Sequence, residues 1–379
     1  MNLATVITIY AAITAVAGVY ILIVTGLNGA WLLHTNLVRP QRSGPLVSVL
    51  IPARNEEANI AACLDSLLVQ SYDSYEIIVY NDDSTDGTAR ILAHYANQHP
   101  ERLKIISGHL EAGWYGKPHA MQRLSENASG SWLYFTDADT LHGKDSISKL
   151  VGLAEYYKAD FISGYIRHRI GSFGEAAVVP SIYLLTMVAM PLWIIQSLKT
   201  PSISHAIGQA MFFRTSTYAA AGGYAAVKNQ ASEDVRIARL VKKHGGRAIF
   251  ADLKEDVSCR MYADYKSAIT GFSKNVYDYF NKNNLVLAAA TVAVPLVFFI
   301  PIIGSIWLPA ALGAAQPFFR LNCLALLYAW SFVALERMLP WYIPFIYPVI
   351  LVNVLSTAWR AYRLIKDGKA IEWKGRMVK

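Results

Sequence analysis

The sequence predicts an α/β domain with a mostly parallel sheet and helices on both faces, and with transmembrane helices at its N- and C-terminal ends. The chain of 379 residues is 54% hydrophobic and 16% charged, which is too apolar for an ordinary soluble enzyme. Asp, Glu, Lys and Arg are absent from residues 1–33 and 285–319, whereas residues 41–280 have the composition of a soluble domain. In this central domain, short apolar runs alternate with segments of helical spacing, which is the pattern of a parallel sheet.

The first apolar segment covers roughly Leu3–Leu33. It exceeds the about 20 residues that a spanning helix needs, and no basic region precedes it. We therefore interpret residues 1–35 as a transmembrane anchor rather than a cleaved signal peptide. Arg39 and Arg42 follow directly, so the positive-inside rule predicts that the central domain, residues 41–280, is cytoplasmic.

The central domain contains a series of predicted strands and helices, with polar clusters where the strands end. The strands are Val47–Ile51, Glu76–Tyr80, Leu103–Ile106, Trp132–Thr136 and Phe161–Ser163, and the helices are Glu56–Val69 and Asp86–Tyr95. Polar clusters at 52–57, 81–84 and 137–139 follow three of these strands. Ligands of such sheets bind at the carboxyl ends of the strands, so we expect the three clusters to meet in one cleft.

A further uncharged run, Ala176–Leu198, is long enough to span a membrane. A single crossing there would place the polar clusters on its two sides at opposite faces of the bilayer. The run also contains Pro180 and Pro191. We therefore predict that residues 176–198 are buried or lie in the membrane interface beside the substrate.

The C-terminal region, residues 285–360, contains three apolar stretches. They are residues 285–319, 321–335 and 338–359, interrupted by Arg320 and by Glu336 with Arg337. Three crossings would put the end of the chain outside. Either the first stretch is a hairpin bent near Pro301, or one stretch is re-entrant, with the proline-rich residues 339–348 as the candidate.

A basic tail, residues 361–379, is expected to lie on anionic lipid at the cytoplasmic face. The basic side chains of the last twenty residues are Arg360, Arg363, Lys366, Lys369, Lys374, Arg376 and Lys379. The formal net charge of the chain is +8, but these basic residues adjoin an apolar segment and the sequence has no recognised nucleic-acid-binding module. Nucleic acid is therefore excluded as the partner. The three widely spaced cysteines, Cys63, Cys259 and Cys323, indicate a reducing compartment.

The sharpest motif is the sequence FTDADT, which contains Asp137 and Asp139 directly after a buried strand. Two carboxylates separated by one residue can bind a divalent cation together with the diphosphate or ribose of a nucleotide. Their hard oxygen ligands suit Mg²⁺ or Mn²⁺. His142 is a candidate third metal ligand. The alternative is that the two aspartates form a solvated turn.

Two further segments fit nucleotide binding. Asp82 and Asp83 are adjacent carboxylates that repel each other unless a ligand such as a ribose hydroxyl binds them, whereas Ser84 or Thr85 can cap the following helix. Lys117, in the turn at 113–120, can meet phosphate charge or can simply be solvated.

The segment Ser232-Glu233-Asp234 precedes an amphipathic helix. One reading is an N-cap followed by acidic residues in the first helical turn. The functional reading is a general base that removes the proton from an acceptor hydroxyl. One base and a stabilised leaving group suffice for a single displacement with inversion.

These motifs, in this order and spacing, resemble the family 2 glycosyltransferases, which have the GT-A (nucleotide-diphospho-sugar transferase) fold. The resemblance covers about Val47–Ala268. It implies that residues 41–280 are a GT-A catalytic domain and that the donor is a nucleotide sugar, usually UDP-linked. Its implied site is Pro52, Ala53, Asn55, Glu57 and Asp83 for the nucleoside, Asp137 and Asp139 for metal and diphosphate, and Asp234, beside Glu233, as the base. The segment with Gly208, Gln209 and Tyr224 resembles the acceptor side, although Tyr224 can equally be a core residue.

The Gln-x-x-Arg-Trp motif of processive polysaccharide synthases is missing. In its expected place stands Gly271–Asn275, where Lys274 can supply positive charge near the diphosphate. With Trp373–Arg376 in the tail, the chain resembles bacterial carotenoid and related lipid glycosyltransferases and, more distantly, ceramide glucosyltransferases. The resemblance implies non-processive transfer to a hydroxyl of a carotenoid, a sphingolipid-like or another polar lipid, at a bacterial-type cell membrane.

Two alternatives remain open at this point. A nucleotidyltransferase acting on a membrane lipid has a similar sheet but needs a glycine-rich basic phosphate loop, which residues 52–57 do not provide. A catalytically inactive membrane scaffold needs no acidic motif, yet all the acidic positions are present.

Overall fold

The computed structural model describes residues 1–188, 190–230, 232–273, 276–280, 282–367, 371–373 and 376–378. The strands are β1 Val47–Ala53, β2 Tyr75–Asp82, β3 Leu103–Gly108, β4 Trp132–Phe135, β5 Thr140–His142, β6 Phe161–Tyr165, β7 Arg167–His168, β8 Met211–Arg214, β9 Ala248–Asp252, β10 Val257–Cys259, β11 Ile371–Trp373 and β12 Arg376–Val378. The α-helices are α1 Leu3–Asn36, α2 Ile60–Leu68, α3 Thr88–Gln98, α4 Gly116–Glu126, α5 Ser146–Tyr157, α6 Phe173–Ala176, α7 Ser181–Thr186, α8 Thr215–Ala220, α9 Glu233–Lys243, α10 Tyr265–Ser273, α11 Asn284–Val294, α12 Ile300–Trp307, α13 Gln316–Glu336 and α14 Ile343–Lys366. Short 3₁₀ segments are Leu192–Ile194, Tyr224–Val227, Val276–Phe280 and Ala310–Ala315, and a π turn spans Pro295–Phe299.

The central sheet has seven strands in the order β3-β2-β1-β4-β8-β6-β9. Strand β8 is antiparallel to both of its neighbours, and the other pairs are parallel. The central strands β1 and β4 are almost wholly buried because helices cover both faces of the sheet. The predicted mostly parallel α/β fold is confirmed, and a small sheet in the order β5-β10-β7 adds to it.

The five predicted strands are present, but the two predicted helices begin later than expected. Helix α2 begins at Ile60 and α3 at Thr88. The prediction that Ser84 or Thr85 caps α3 is wrong, because Asp86 Oδ1 accepts the hydrogen bond from the Thr88 backbone N–H at 3.0 Å. The polar residues between each strand and its helix form loops at the edge of the sheet.

Within the part of the chain that the structure describes, four helical spans are long and apolar enough to cross a membrane: Leu3–Asn36, Asn284–Trp307, Leu312–Glu336 and Ile343–Lys366. The predicted interruption at Arg320 is wrong. The break falls instead after Trp307, because Pro309 forces the preceding residue, Leu308, into an extended conformation with ψ 128°. Arg320 lies within α13 with an exposed side chain, so its charge does not interrupt the helix.

Helices α1 and α13 pack side by side and both end at the central domain. In their middle, Asn322 Nδ2 donates to the Thr14 carbonyl. At their C-terminal ends, Trp31 Nε1 donates to the Phe250 carbonyl at 2.8 Å, and Arg337 forms a two-pronged ion pair with Asp252 at 2.9 Å. The Arg337 and Asp252 side chains are 0% and 1% exposed. A buried ion pair therefore joins α13 to strand β9.

Helix α14 contacts the central domain along its length. Tyr342, just before the helix, packs on Phe173 with ring centroids 5.8 Å apart. In its middle, Asn353 donates to the Ala177 carbonyl at 2.9 Å. Near its end, Tyr362 packs on Tyr277 at 5.8 Å.

The uncharged run 176–198 is folded into short helices that pack on α1. The Asn28 amide of α1 donates to the Met187 and Met190 carbonyls at 2.8 Å, and its Oδ1 accepts from the Leu192 N–H at 2.7 Å. One polar side chain of the anchor therefore satisfies three backbone groups that lack helical partners. These bonds hold the run between the membrane helices and the sheet.

Candidate active site

A cleft of about 340 Å³ lies at the carboxyl ends of strands β1, β2 and β4. Its polar lining residues include Arg54, Glu56, Asp82, Tyr115, Lys117, Asp137, Asp139, His205, Gln209, Gln230, Glu233 and Asp234. Its apolar lining includes Pro52, Ala53, Ile182, Ala206, Ile207, Met261, Tyr262 and Phe272. The predicted polar clusters thus meet at one edge of the sheet, and an apolar wall adjoins them.

Asn55 and Glu57 join the loop after β1 to the loop after β2. Asn55, with a positive φ of 52°, accepts a hydrogen bond from the Thr85 N–H at 2.8 Å. Glu57 Oε2 accepts from the Gly87 N–H at 2.6 Å. Neither residue lines the cleft. Asn55 and Glu57 therefore join the two loops, whereas their neighbours Arg54 and Glu56 line the cleft.

The tandem aspartates after β2 lie in different surroundings. Asp82 lines the cleft and is 4% exposed. Asp83 lies outside the lining, with a positive φ of 55° and a side chain that is 54% exposed, 3.5 Å from His109 and 4.0 Å from Arg54. Strand β2 ends at Asp82, and the left-handed backbone of Asp83 turns the chain, so the two side chains have different surroundings. Asp83 was the aspartate predicted to bind the nucleoside, but the residues that line the cleft are Asp82 and Arg54.

Asp137 and Asp139 both line the cleft, and Lys117 contacts the first of them. The Lys117 ammonium at the start of α4 lies 2.7 Å from Asp137 Oδ1 and 3.9 Å from Glu233 Oε1. Asp139 accepts a hydrogen bond from the buried Cys259 thiol. Burial opposes the charge of Lys117, but Asp137 and Glu233 outweigh it and hold the pKa of Lys117 above its ordinary value.

Glu233 and Asp234 begin helix α9 and form the second acidic group of the cleft. The Glu233 side chain is 12% exposed, and this burial raises its pKa to about 7 despite the nearby Lys117. Burial also raises the pKa of Asp234, although hydrogen bonds from the Val235 and Gly208 backbones oppose the shift. Such a pair can take up a proton near neutral pH.

Gly208 allows its loop to approach both charged groups. A Cβ at this position would lie 3.1 Å from the Lys117 ammonium and 3.7 Å from Asp234 Oδ2. The next residue, Gln209, is fixed by its carbonyl, which accepts from the Thr136 hydroxyl at 2.9 Å. The predicted acceptor-side residues Gly208 and Gln209 therefore do line the cleft, beside the acidic pair.

Two predicted residues lie elsewhere. His142 is buried outside the cleft lining, where its ring nitrogens face the hydroxyls of Thr140 at 2.9 Å and Tyr134 at 3.3 Å. Burial lowers the pKa of His142 to about 3, so the ring is neutral. Tyr224 is fully buried, packs on Phe135 and donates a hydrogen bond to the Met211 sulfur, so it belongs to the core. The predicted Lys274 lies outside the described residues.

The carboxylates of the cleft fit a divalent cation that a nucleotide diphosphate helps to hold. Within the described part of the chain, no three or more His, Cys, Asp or Glu side chains gather into a metal cluster. Among the described residues, six carboxylate residues line the cleft, and two of them, Asp137 and Asp139, are the metal ligands predicted from the sequence. Mg²⁺ sites of this kind take one or two carboxylates and complete the coordination with phosphate oxygens and water.

Parts of the amino-acid sequence are similar to known proteins. Residues 48–221 match the model of glycosyl transferase family 2. A PGL/p-HBAD biosynthesis glycosyltransferase of Mycobacterium bovis is 32% identical over 35% of this chain and 50% of its own length. A 4,4'-diaponeurosporenoate glycosyltransferase of Staphylococcus aureus is 35% identical over 28% of this chain and 27% of its own. The chain thus spans half or less of the length of these curated relatives.

A similar fold is found among solved structures. A mannosyltransferase from Pyrobaculum calidifontis, in complex with GDP-Man and Mn²⁺, superposes with a TM-score of 0.54 at 18% identity, over 93% of this chain and 98% of its own. This likeness concerns the fold, whereas the family match rests on the sequence. Residues 48–221 therefore match the domain of glycosyl transferase family 2, and the chain has a GT-A-like fold.

Proposed function

We propose that this chain transfers a sugar from a nucleotide-sugar donor, UDP-linked by its family resemblance, to a hydroxyl of a membrane lipid. The transfer inverts the anomeric centre and is non-processive. The observation that carries the proposal is the convergence of two acidic pairs, Asp137 with Asp139 and Glu233 with Asp234, around Lys117 in one cleft. An apolar wall of the same cleft adjoins the membrane helices.

The donor lies at the end of the cleft formed by the loops after β1 and β2. Pro52 and Ala53 provide a flat apolar surface for the base, and Asp82 provides a carboxylate for a ribose hydroxyl. Arg54 Nη1 donates to the Asp82 carbonyl at 2.7 Å and so fixes this end of β2. Lys117 neutralises the charge of the diphosphate.

Asp137 and Asp139 would hold Mg²⁺ or Mn²⁺. A bound cation stabilises the charge that develops on the departing diphosphate. In this proposal Lys117, at 2.7 Å from Asp137, adds a second positive charge beside the same leaving group. The mannosyltransferase with the similar fold binds GDP-Man with Mn²⁺, which supports a divalent cation in this chain.

Asp234, assisted by Glu233, acts as the general base. The carboxylate takes the proton from the acceptor hydroxyl while the hydroxyl oxygen attacks the anomeric carbon and the diphosphate leaves from the opposite face. The bond to the acceptor oxygen forms as the bond to the diphosphate oxygen breaks, so one displacement inverts the centre. The pKa of about 7 of Glu233 lets the pair hold or release a proton near neutral pH.

The acceptor is a polar lipid that reaches the cleft from the membrane side. Ile182 of α7 and Phe272 of α10 line the cleft, and α10 is tied to α14 where the Tyr265 hydroxyl donates to Asn353 at 2.9 Å. A lipid tail can lie on this apolar wall while its hydroxyl faces the acidic pair. A carotenoid-acid glycosyltransferase among the relatives supports a lipid acceptor of the carotenoid class, with sphingolipid-like lipids as the next candidates.

The membrane arrangement that best fits the contacts has α1, residues 284–307 and residues 312–336 crossing the bilayer, with α14 lying along the central domain. Two crossings after the domain return the chain to the side of the domain, where the basic tail follows. In this proposal the three apolar stretches give two crossings after the domain, and the positive-inside rule predicts a cytoplasmic domain and tail.

Thiol labelling tests this arrangement in a C323S background, because Cys63 and Cys259 are buried. A cysteine at Gly313 is expected to react with an impermeant reagent in intact cells, and one at Lys366 only after permeabilisation. Labelling of the Lys366 position in intact cells would show that α14 crosses the membrane.

The activity is tested with purified protein in detergent, a panel of radiolabelled UDP- and GDP-sugars, and a total lipid extract, with Mn²⁺, Mg²⁺ or EDTA. We expect label in the organic phase that depends on the metal and disappears in D139N. Pyrophosphate release from a nucleoside triphosphate would favour a nucleotidyltransferase instead. Absence of both turnover and nucleotide-sugar binding would favour an inactive scaffold.

A further inference from the structure

His205 lies in the loop before β8 and lines the cleft beside the apolar residues Ala206 and Ile207. Its ring packs on Phe250, with ring centroids 5.0 Å apart. The Phe250 carbonyl accepts a hydrogen bond from Trp31 of the membrane anchor. His205 therefore lies where the cleft adjoins the membrane helices. It precedes Gly208 by three residues along the chain, and Gly208 lies beside Asp234 of the acidic pair.

The Nε2 atom of His205 is buried and has no hydrogen-bond partner among the described residues. The same is true of ring nitrogens in His119 and His168, but of these three histidines only His205 lines the cleft. Burial lowers the pKa of His205 to about 4, so the ring is neutral at physiological pH. A neutral imidazole has one nitrogen that donates and one that accepts, and leaving one of them without a partner lowers stability.

The surroundings of His205 indicate what kind of group would bind there. Phe250, on which the ring packs, shares one hydrophobic cluster with the lining residues Ile182 and Ile207, whereas Gly208 lies beside Asp234. A group that contacts His205 is therefore the polar end of a largely apolar molecule. A sugar nucleotide, with its charged diphosphate, suits the side of Lys117 instead.

We propose that His205 is a positioning residue for the acceptor, and that its Nε2 forms a hydrogen bond with the polar head of the lipid alcohol. The inference rests on the proposed function and adds to it a residue that holds the acceptor rather than the donor. The tilted packing of the ring against Phe250 restricts its orientation, so the bond sets the orientation of the head group while the tail lies on the apolar wall. The acceptor hydroxyl is then presented to Asp234.

The test compares H205F with H205Q. Phenylalanine keeps the ring that packs on Phe250 but removes both nitrogens, whereas glutamine restores a side chain that can donate and accept. Diacylglycerol, ceramide and a hydroxylated carotenoid serve as acceptor probes, and the best of them for the native protein is used with each variant. The measurements are the acceptor KM, kcat, the nucleotide-sugar Kd and the melting temperature.

We expect H205F to raise the acceptor KM about 10-fold or more, the factor that corresponds to one lost hydrogen bond with a buried partner. Its nucleotide-sugar Kd and melting temperature should stay close to native, and H205Q should recover most of the acceptor KM. An unchanged acceptor KM in H205F overturns the inference, as does a nucleotide-sugar Kd that weakens in parallel. If the native protein transfers to no lipid of the panel, the proposed function itself fails.

Discussion

Replacing Lys117 with methionine removes the ammonium group that lies between Asp137 and Glu233. The Lys117 side chain is 34% exposed and that of Glu233 is 12% exposed, so solvent screens the pair only in part. At the observed 3.9 Å, a unit charge pair is worth about 1 kcal/mol in water and about 4 kcal/mol near a protein surface. We use the lower half of that range because Lys117 is partly exposed.

That energy becomes a shift in the pKa of Glu233. About 1.4 kcal/mol corresponds to one pKa unit, so losing the cation raises the pKa of Glu233 by about 1–2 units. Its value with Lys117 present is about 7. Lys117 lowers the pKa of Asp234 as well, so its loss keeps both members of the acidic pair protonated to higher pH; the pair then accepts a proton poorly at neutral pH and recovers in alkali. At pH 7, kcat/KM should fall about 5-fold or more through this effect alone, before any weaker donor binding.

The assay is kcat/KM for the nucleotide sugar between pH 6 and pH 9, with saturating metal and lipid acceptor. For the native protein, activity should fall as the pH drops through about 7. The K117M profile should move to about pH 8 or above. K117R, which keeps the charge, and K104M, at an exposed lysine on β3 outside the cleft, should keep the native profile. If K117M is slower by one constant factor at every pH, Lys117 does not set the ionisation of the acidic pair.

Three further predictions concern the metal, the loop and the membrane contact. D139N should lower metal-stimulated transfer by about 100-fold or more, because one of the two proposed carboxylate ligands is lost. D65N, which changes an exposed aspartate outside the cleft, should keep the native activity. Equal activity of the two variants in a Mn²⁺ titration contradicts this prediction. G208A should lower kcat about 10-fold, since its Cβ would stand 3.1 Å from the Lys117 ammonium, and a native kcat would show that the loop yields freely. R337Q should lower the free energy of unfolding by about 3 kcal/mol or more, because Asp252 stays buried with Lys254 as its remaining ion-pair partner. R320Q, on the exposed face of α13, should leave the free energy of unfolding unchanged. Thermal unfolding in detergent distinguishes the two variants, and equal melting temperatures contradict the reasoning.

Local pattern was sufficient for the strands and for the acidic motifs. Val47–Ile51 and Trp132–Thr136 are apolar runs followed at once by polar residues, and this contrast predicts both a buried strand and the edge where it ends. Because parallel strands end at the same edge, the order of strands and motifs along the chain is enough to predict that Asp137 and Asp139 lie near the other clusters. Strand β8 was not predicted, since its short run Met211–Arg214 carries no signal of its antiparallel pairing.

Other features of the site depend on neighbours distant in the chain. The sequence does not tell which of Asp82 and Asp83 faces the cleft, because that depends on the register of β2 against β1 and on the bonds that Asn55 makes to the next loop. His205 was not predicted as a site residue, since it lines the cleft through tertiary packing in which its ring lies against Phe250.

The membrane region shows the same division. Hydropathy alone determined that both ends of the chain contain helices suited to lipid, because 20 or so apolar residues are sufficient for that inference. Hydropathy does not report what a helix packs against, so it predicted a membrane-spanning helix at α14 as it did for the neighbouring helices. The contacts of α14 with Phe173, Ala177 and Tyr277 are visible only in the tertiary structure, because burial against a domain and burial in lipid demand the same apolar side chains.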